Sequence, residues 1–165
     1  MFKSDKPQKN PQRNVAKYLS YREAWSRIKQ AQEQAFYLEA VTLEESIITD
    51  RLISYLVSKG IIKRADELHK YPNFSDLIKK WKRMHAPIYI RVKSREFHDL
   101  QTAVDIWRRR RNKVVHGMVK SHPGTATDDI LNFLEEAKLT AAEGEILACG
   151  VSSWVKKSKS NSSNH

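Results

Sequence analysis

The sequence predicts an all-α protein, a bundle of four or five helices between two disordered basic ends. Apolar residues recur at three- and four-residue steps over long stretches, which is the spacing of one face of a helix. Only 5 Gly and 5 Pro occur among the 165 residues, so few positions interrupt a helix. The length fits one domain, and a hydrophobic content of 40% is enough for one modest core.

The two ends of the chain differ in composition from its centre. Residues 1–17 hold five basic residues and one acidic residue, and residues 156–165 are rich in Ser, Asn and Lys. Such segments bury too little apolar surface to offset the entropy of ordering, so we expect both to be disordered. The predicted helical domain is therefore residues 18–155.

The first part of this domain contains one long and one short helical pattern. The long pattern covers residues 20–58 and permits a break near Ala40. Gly60 then offers a stop, because glycine readily adopts the left-handed backbone that ends many helices. Residues 60–73 have no clear period, and a short helix is predicted from Phe74 to Met84 with Ser75 as its N-cap.

The central part leads into a helix rich in arginine. We expect residues 86–90 to form a loop or a short extended piece. A helix is predicted over residues 94–117, with Ser94 as its cap and Gly117 as its stop. The sequence His122-Pro123-Gly124 predicts a turn after it.

The last helix is predicted to open at Thr127, which is followed by two Asp residues that favour a helix start. Its apolar period is clear up to Leu139, and residues 141–155 either continue it or restart it around Gly144. We expect residues 20–58 and 94–117 to be the two longest helices and to pack together.

The segment from Trp107 to Gly117 contains the residue types that handle phosphate. Arg presents a planar fork of donors that matches a phosphate, and His exchanges a proton near neutral pH. Together they are a minimal set for cleaving a phosphodiester without metal. The bare spacing of an Arg and a following His is not specific, because Arg64 with His69 and Arg91 with His98 also match it.

The helical pattern favours Arg111 and His116 as the meaningful pair. Arg111 occupies the missing step of an apolar seam, where an unpaired charge is costly. That seam is formed by Phe97, Leu100, Val104, Trp107, Val114 and Met118. Asn112 and His116 are four residues apart and share a face. Arg109 and Arg110 also meet the spacing, and the Asn that follows is the reason for choosing Arg111. The alternative is a solvated basic helix end that interacts favourably with the helix dipole.

The long N-terminal pattern contains a matching acidic residue. Glu45 fills the apolar step between Val41 and Ile48. If the two helices face each other, Glu45 would either pair with Arg111 or orient His116. Asp50 is the second acidic candidate. The alternatives are a structural buried ion pair for Glu45 and a local surface pair for Asp50.

Positive charge is concentrated around this segment. The net charge is 30 − 19 = +11, and residues 79–120 alone hold 13 basic and 3 acidic residues. A polyanion such as RNA is the natural partner of such a surface, although an ordinary solvated basic face is the alternative. The RNA-contacting candidates are Lys79, Lys80, Lys82, Arg83, Arg108, Arg109, Arg110 and Lys113.

Several other classes of protein are disfavoured. Cys149 is the only cysteine, which excludes an internal disulfide and a Cys-based zinc site, and no His or carboxylate spacing suggests another metal. We therefore expect no metal and no cofactor. No apolar run reaches 18 residues and the start lacks a secretory signal, so we expect a cytoplasmic protein that does not enter a membrane.

The Arg111-Asn112-Lys113-Val114-Val115-His116 motif near a helix end resembles that of the HEPN superfamily. The resemblance covers roughly residues 20–155 and includes the acidic residue on an early helix, for which Glu45 is the first choice and Asp50 the second. It implies a small helical bundle, often dimeric, that cleaves RNA without metal. His116 would be the general acid or base, Arg111 would stabilise the transition state, and Asn112 would orient the His or the phosphate.

The resemblance also implies partners. These are RNA, a second copy of the chain, and an antitoxin or another protein of a phage-defence system. Met118 stands where some toxins of this superfamily carry a modified tyrosine, so that form of regulation is not implied. The alternatives are a non-catalytic HEPN-like module that binds RNA, a nucleotide or a protein, and a helical adaptor unrelated to this superfamily.

Overall fold

Five helices and one two-stranded hairpin make up the part of the chain that the computed structural model describes, residues 11–63, 72–117 and 130–162. The all-α class is confirmed, with 80% of the structure helical. The elements in order are α1 (Pro11–Glu33), α2 (Tyr37–Ser58), α3 (Phe74–Met84), β1 (Ile90–Val92), β2 (Arg95–Phe97), α4 (Leu100–Gly117) and α5 (Ile130–Ser162). None of these five helices combines the length and the apolar character that crossing a lipid bilayer requires.

The helices extend further toward both ends than composition predicts. Helix α1 begins at Pro11, so residues 11–17 are helical, and proline suits the first turn because its missing N–H has no acceptor there. Helix α5 includes residues 156–162, and Lys159 Nζ donates to Ser54 Oγ on α2 at 2.5 Å. Lys17 Nζ on α1 likewise lies 3.1 Å from Asp50 Oδ2 on α2, so both segments are helical and contact α2 where disorder was predicted. The remaining predicted tails, residues 1–10 and 163–165, lie outside the described residues.

The long N-terminal pattern is two helices separated by a tight turn. Ala35 has a φ of +60°, its N–H donates to Gln32 O, and the N–H of Phe36 donates to Ala31 O. This pair of hydrogen bonds is the Schellman motif, which satisfies the last carbonyls of a helix. The break therefore lies at residues 34–36, a few residues before the predicted position.

The stop predicted for the second helix is confirmed. Gly60 has a φ of +69°, and it follows α2. Its N–H donates to Val57 O, and that of Ile61 donates to Leu56 O, which is the same Schellman pattern as at the end of α1. The α3 bounds also agree with prediction, but its N-cap is Asn73, whose Oδ1 accepts from Ser75 N at 2.9 Å.

The helix predicted over residues 94–117 is shorter, because its first residues belong to a hairpin. Strand β1 pairs with β2 in antiparallel register, with Ile90 opposite Phe97 and Val92 opposite Arg95. Buried Ile88, Ile90 and Val92 alternate with exposed residues, which is the period of a strand. The true N-cap of α4 is Asp99 rather than Ser94, and its carboxylate accepts from the N–H and the hydroxyl of Thr102 at 2.9 and 2.7 Å.

Helix α5 is the longest of the described helices, with 33 residues that continue without interruption through Gly144. It packs against both α2 and α4, whereas α2 and α4 contact each other over a much smaller area. The prediction that residues 20–58 and 94–117 are the two longest helices is therefore wrong, whereas α2 and α4 do contact each other as expected, over a small area. The predicted turn at residues 122–124 and the cap at Thr127 lie outside the described residues.

Helices α2, α4 and α5 come closest together at Gly144. A Cβ atom at this position would lie 2.1 Å from Glu44 Oε2 and 2.6 Å from Trp107 Cζ2, and both of these side chains are fully buried. Trp107 also donates from Nε1 to Thr140 O at 2.8 Å, which fixes the indole against α5. Gly144 is thus the position where α5 has no side chain so that α2 and α4 can approach it.

We expect Gly144→Ala to destabilise the fold by about 1–3 kcal/mol or more, because Glu44 and Trp107 must both move. Urea denaturation measures this change. Gly117→Ala is the matched control in another helix, since a Cβ there meets only Phe133 Cε2 at 3.8 Å. An Ala at Gly144 that is as well tolerated as one at Gly117 would contradict the close approach.

Candidate functional site

The last turns of α4 direct the motif residues to three different sides. Successive residues of a helix differ by about 100° in direction. Arg111 faces α2, where it meets Glu45, and Arg110 faces α5, where it meets Glu143. Asn112 and His116 share another side, on which His116 is exposed to solvent. The motif therefore lies at the junction of α2, α4 and α5.

The ion pair that the interrupted seams predict between Glu45 and Arg111 is present. Arg111 Nε contacts Glu45 Oε2, and the two side chains are only 21% and 20% exposed. Burial raises the pKa of Glu45 above its ordinary value, while the positive charges of Arg111 and Arg108 act in the opposite direction. The carboxylate thus neutralises a guanidinium that would otherwise be a poorly solvated charge.

Asn112 connects this ion pair to the side of the helix that carries His116. Arg111 Nη1 donates to Asn112 Oδ1 at 2.8 Å, so the amide oxygen of Asn112 is engaged and its NH₂ group is available to other acceptors. Arg111 and His116 are five residues apart and point about 140° away from each other on the helix. Glu45, Arg111 and Asn112 therefore form one connected group, and the exposed imidazole of His116 lies on a different side of α4 from Arg111.

Asp50, the second acidic candidate, has its contacts on a different helix. It accepts a hydrogen bond from the Tyr21 hydroxyl and pairs with Lys17 Nζ at 3.1 Å, and both of these partners are on α1. Of the two interpretations of Asp50, the surface ion pair agrees better with these contacts. The observed pair is not local, however, because it joins α1 to α2. Its position supports the packing of α1 on α2.

The arginines predicted to contact RNA are largely paired with acidic side chains. Arg108 and Arg109 each approach Asp105 at 3.1 Å, and Arg110 Nη1 lies 2.8 Å from Glu143 Oε2. Lys113 is exposed and forms no ion pair within the described ranges. The arginine run is thus less available to phosphate than its sequence suggests, and Lys113 is the more accessible charge.

The basic candidates on α3 lie around a helix whose other side is in the core. Leu77, Ile78 and Trp81 are buried, which leaves Lys82 and Arg83 exposed and Lys80 half-buried. Lys79 approaches Asp76 at 3.7 Å on the same helix. This side of α3 has the character of a solvated basic face.

The other copies of the Arg and His spacing have different surroundings. Arg91 pairs with Glu96 across the hairpin, and the ring of the exposed His98 lies 5.5 Å from that of Tyr89. Arg64 and His69 lie outside the described residues. Arg91 meets a carboxylate of its own hairpin, whereas Arg111, like its neighbour Arg110, meets a carboxylate from another helix.

Glu44 is a buried polar residue that the sequence interpretation missed. It is fully buried, and Gln32 Nε2 donates to its Oε1 at 3.3 Å and to Glu145 Oε2 at 3.2 Å. Burial raises the pKa of Glu44 to about 9; the hydrogen bond from Gln32 lowers it and the charge of Glu145 raises it further. The carboxyl group is therefore neutral at pH 7. Gln32 is the signal in the sequence, because it occupies an apolar step of α1 and needs a polar partner.

No protein-family model, no curated protein and no solved structure matches this chain. Across the parts of the chain that the structure describes, His, Cys, Asp and Glu side chains form no group of three or more that could bind a metal ion. The chemical groups present are a guanidinium with its carboxylate, an amide and an exposed imidazole.

We expect Glu45→Ala to lower the free energy of unfolding by about 1–3 kcal/mol, because it leaves Arg111 partly buried without its carboxylate. The loss is smaller than for a fully buried pair, since water reaches both side chains. Chemical denaturation measures it. Glu23→Ala is the matched control, because its pair with Arg27 is more than half exposed and is worth about 0.5 kcal/mol or less. Equal effects of the two variants would contradict a stabilising role for the Glu45 pair.

Glu44→Gln should stabilise the protein increasingly as the pH rises. The unfolded chain loses the Glu44 proton near its ordinary pKa of 4.5, whereas the folded chain keeps it up to about pH 9. Between these values unfolding releases a proton, so wild-type stability falls with pH by up to about 1.4 kcal/mol per unit from this group.

The measurement is the difference in unfolding free energy between Glu44→Gln and wild type from pH 5 to pH 9. Glu33→Gln, at an exposed position on α1, is the control and should show little change over this range. A difference for Glu44→Gln that is constant with pH would mean that the folded protein holds Glu44 ionised.

Proposed function

We propose that this protein is a metal-independent endoribonuclease of the HEPN type. The observation that carries the proposal is the group formed by Glu45, Arg111 and Asn112 near the end of α4, the helix whose last turn also carries the exposed His116. A partly buried ion pair in an apolar seam generally stabilises a fold no more than apolar side chains of similar volume would. The presence of Arg111 in the seam therefore favours a functional role for it.

In the proposed reaction the 2′-OH of a ribose attacks the phosphorus of the adjacent phosphodiester. His116 takes the proton from the 2′-OH or gives one to the leaving 5′-oxygen. The 2′-oxygen bonds to phosphorus, the P–O5′ bond breaks, and the products are a 2′,3′-cyclic phosphate and a 5′-hydroxyl. Arg111 and Asn112 stabilise the negative charge that develops on the phosphate oxygens. DNA lacks the 2′-OH and is not cleaved.

A homodimer through α4 is part of the proposal. In such a dimer each cleft would hold His116 of one chain and Arg111 of the other. The wide angle between Arg111 and His116 on one helix also favours a site to which two chains contribute. Ile106 supports such a contact, because it is an apolar side chain on α4 that is 47% exposed.

The setting that we propose is a toxin or a phage-defence component in the cytoplasm, restrained by an antitoxin or another partner protein. This part of the proposal depends on the resemblance of the motif to the HEPN superfamily. A nuclease that attacks RNA in the cell that makes it requires such restraint.

One observation favours a second candidate, a non-catalytic helical module that binds RNA, a nucleotide or a protein. Arg111 is already held by Glu45, and the neighbouring arginines are paired with Asp105 and Glu143. A purely structural arginine would have these partners. This candidate predicts binding or self-association without cleavage.

We expect His116→Ala to lower the rate of cleavage of single-stranded RNA in EDTA about 10²–10⁴-fold, because the proton transfer is lost. Arg111→Ala should lower it about 10²–10³-fold through lost charge stabilisation. Gel analysis and mass spectrometry of the 3′ ends measure the rate and the cyclic phosphate. His98→Ala, in another copy of the spacing, is the control and should retain activity. Wild-type protein that cleaves no RNA, or equal losses in His98→Ala and His116→Ala, would overturn the nuclease proposal.

Mixing the two inactive variants tests the shared site. If Arg111 and His116 come from different chains, a heterodimer of Arg111→Ala and His116→Ala has one intact site, and up to about half of the activity of the dimer returns. If each chain contains its own complete site, the mixture stays inactive.

A further inference from the structure

We propose that the depression between the end of α4 and the first turns of α5 binds one nucleotide of single-stranded RNA, with its base stacked on Phe133 and its phosphate held by Lys113 and Arg110. This proposal rests on the nuclease proposal and extends it, because none of these three residues takes part in the proposed chemistry. It assigns the base-recognition part of the substrate to α5.

The depression has the size and the lining of a small-molecule site. It encloses about 410 Å³, which is within the range of pockets that bind small ligands. Arg110, Lys113 and Gly117 form the wall from α4, and Asn132, Phe133 and Glu136 form the wall from α5. The α4 residues lie at positions i, i+3 and i+7 and so share one side of that helix.

Phe133 supplies the aromatic surface. Its ring is half-buried, and its Cε2 lies 3.8 Å from where a Cβ of Gly117 would be. The backbone of Gly117 thus supports the ring without a side chain that would cover it. Stacking on an aromatic face accepts any base, and it contributes a large share of the affinity of proteins for single-stranded nucleic acid.

The two cations of the depression, Lys113 and Arg110, are both on its α4 wall. Lys113 is exposed and forms no ion pair in the described parts of the chain. Arg110 is oriented by Glu143, but this bond uses only one of its five donors. These two cations suit a phosphate. His116 precedes Gly117 on α4 but does not line the depression, so the bound nucleotide would be a neighbour of the one that is cleaved.

The polar residues of the α5 wall suit the edge of a base. Asn132 offers both a donor and an acceptor, and the exposed carboxylate of Glu136 accepts hydrogen bonds from ring or amino N–H groups. Glu136 also repels a second phosphate, which favours one orientation of the nucleotide.

A neighbouring groove shows why RNA suits this depression better than a protein does. That groove encloses about 310 Å³, shares Phe133, and is lined almost entirely by apolar residues between Ala35–Leu38 and Leu134–Ala137. An apolar side chain of a protein partner fits there. The depression at Lys113 combines two cations, an amide and a carboxylate around one ring, which is the composition that a nucleotide requires.

The test measures binding of a fluorescein-labelled, mixed-sequence RNA hexamer by anisotropy, with all variants made in a His116→Ala protein so that no cleavage occurs. Phe133→Ala should weaken binding about tenfold or more. Phe133→Leu keeps the apolar volume and should weaken binding as well, whereas Phe133→Tyr keeps the aromatic face and should restore it. Leu139→Ala, at an exposed apolar position of the same helix, should bind as the parent does. Thermal melting shows that each variant is folded.

The outcomes separate this inference from the nuclease proposal. RNA binding that depends on the Phe133 ring, in a wild-type protein that cleaves nothing, keeps the nucleotide site and removes the nuclease. Cleavage and binding that are unchanged in Phe133→Ala and Phe133→Leu keep the nuclease and overturn the nucleotide site. Loss of self-association with unchanged RNA binding would overturn it too, and would make the depression a contact between proteins.

Discussion

The close approach of α2, α4 and α5 at Gly144 is the constraint on which the rest of the structure depends. Because Gly144 has no side chain, Glu44 and Trp107 both reach the backbone of α5. This contact sets the distance and the rotation of α4 relative to α2. Glu45 follows Glu44 directly, and Arg111 lies one turn after Trp107, so the same packing brings the ion pair together. The candidate site is thus a consequence of how the core is packed.

The same junction places polar groups where a bundle of this size would ordinarily hold apolar ones. Gln32 on α1 joins Glu44 on α2 to Glu145 on α5, and Glu145 in turn pairs with Lys93 of the hairpin at 2.9 Å. A neutral carboxyl that accepts one hydrogen bond from an amide, while its Oε2 has no partner among the described residues, costs less than a buried ion but contributes less than well-packed apolar atoms. The directional hydrogen bonds of this network favour the observed arrangement of α1, α2, α5 and the hairpin over arrangements in which one of them is shifted along its neighbours.

Sequence reasoning succeeds here where a residue conflicts with its own helical pattern, and it fails where two patterns compete. Arg111 and Glu45 interrupt apolar seams, and this conflict predicts that Glu45 pairs with Arg111 or orients His116 if the two helices face each other; the structure has the pair. The same reasoning gives the wrong structure for residues 90–99. Ser94 resembles a helix cap, but the alternation of buried Ile90 and Val92, which is only a short signal, belongs to a strand.

The burial of Glu44 cannot be predicted from the helix period, because a residue adjacent to Glu45 is expected on another side of the helix. Gly144 resembles a helix breaker, and its reason, close packing by distant helices, exists only in three dimensions. The catalytic roles of Arg111, Asn112 and His116 remain predictions.

The position of α5 in the chain order also affects when the protein can fold. Helix α5 is made last among the described elements, yet α2 and α4 both pack mainly on it. During translation at about 5–20 residues per second, the helices up to α4 emerge from the ribosome without the surface that covers Glu44 and Trp107. The nascent chain therefore exposes its core side chains until α5 emerges, and a binding partner that recognises them has access only in that interval.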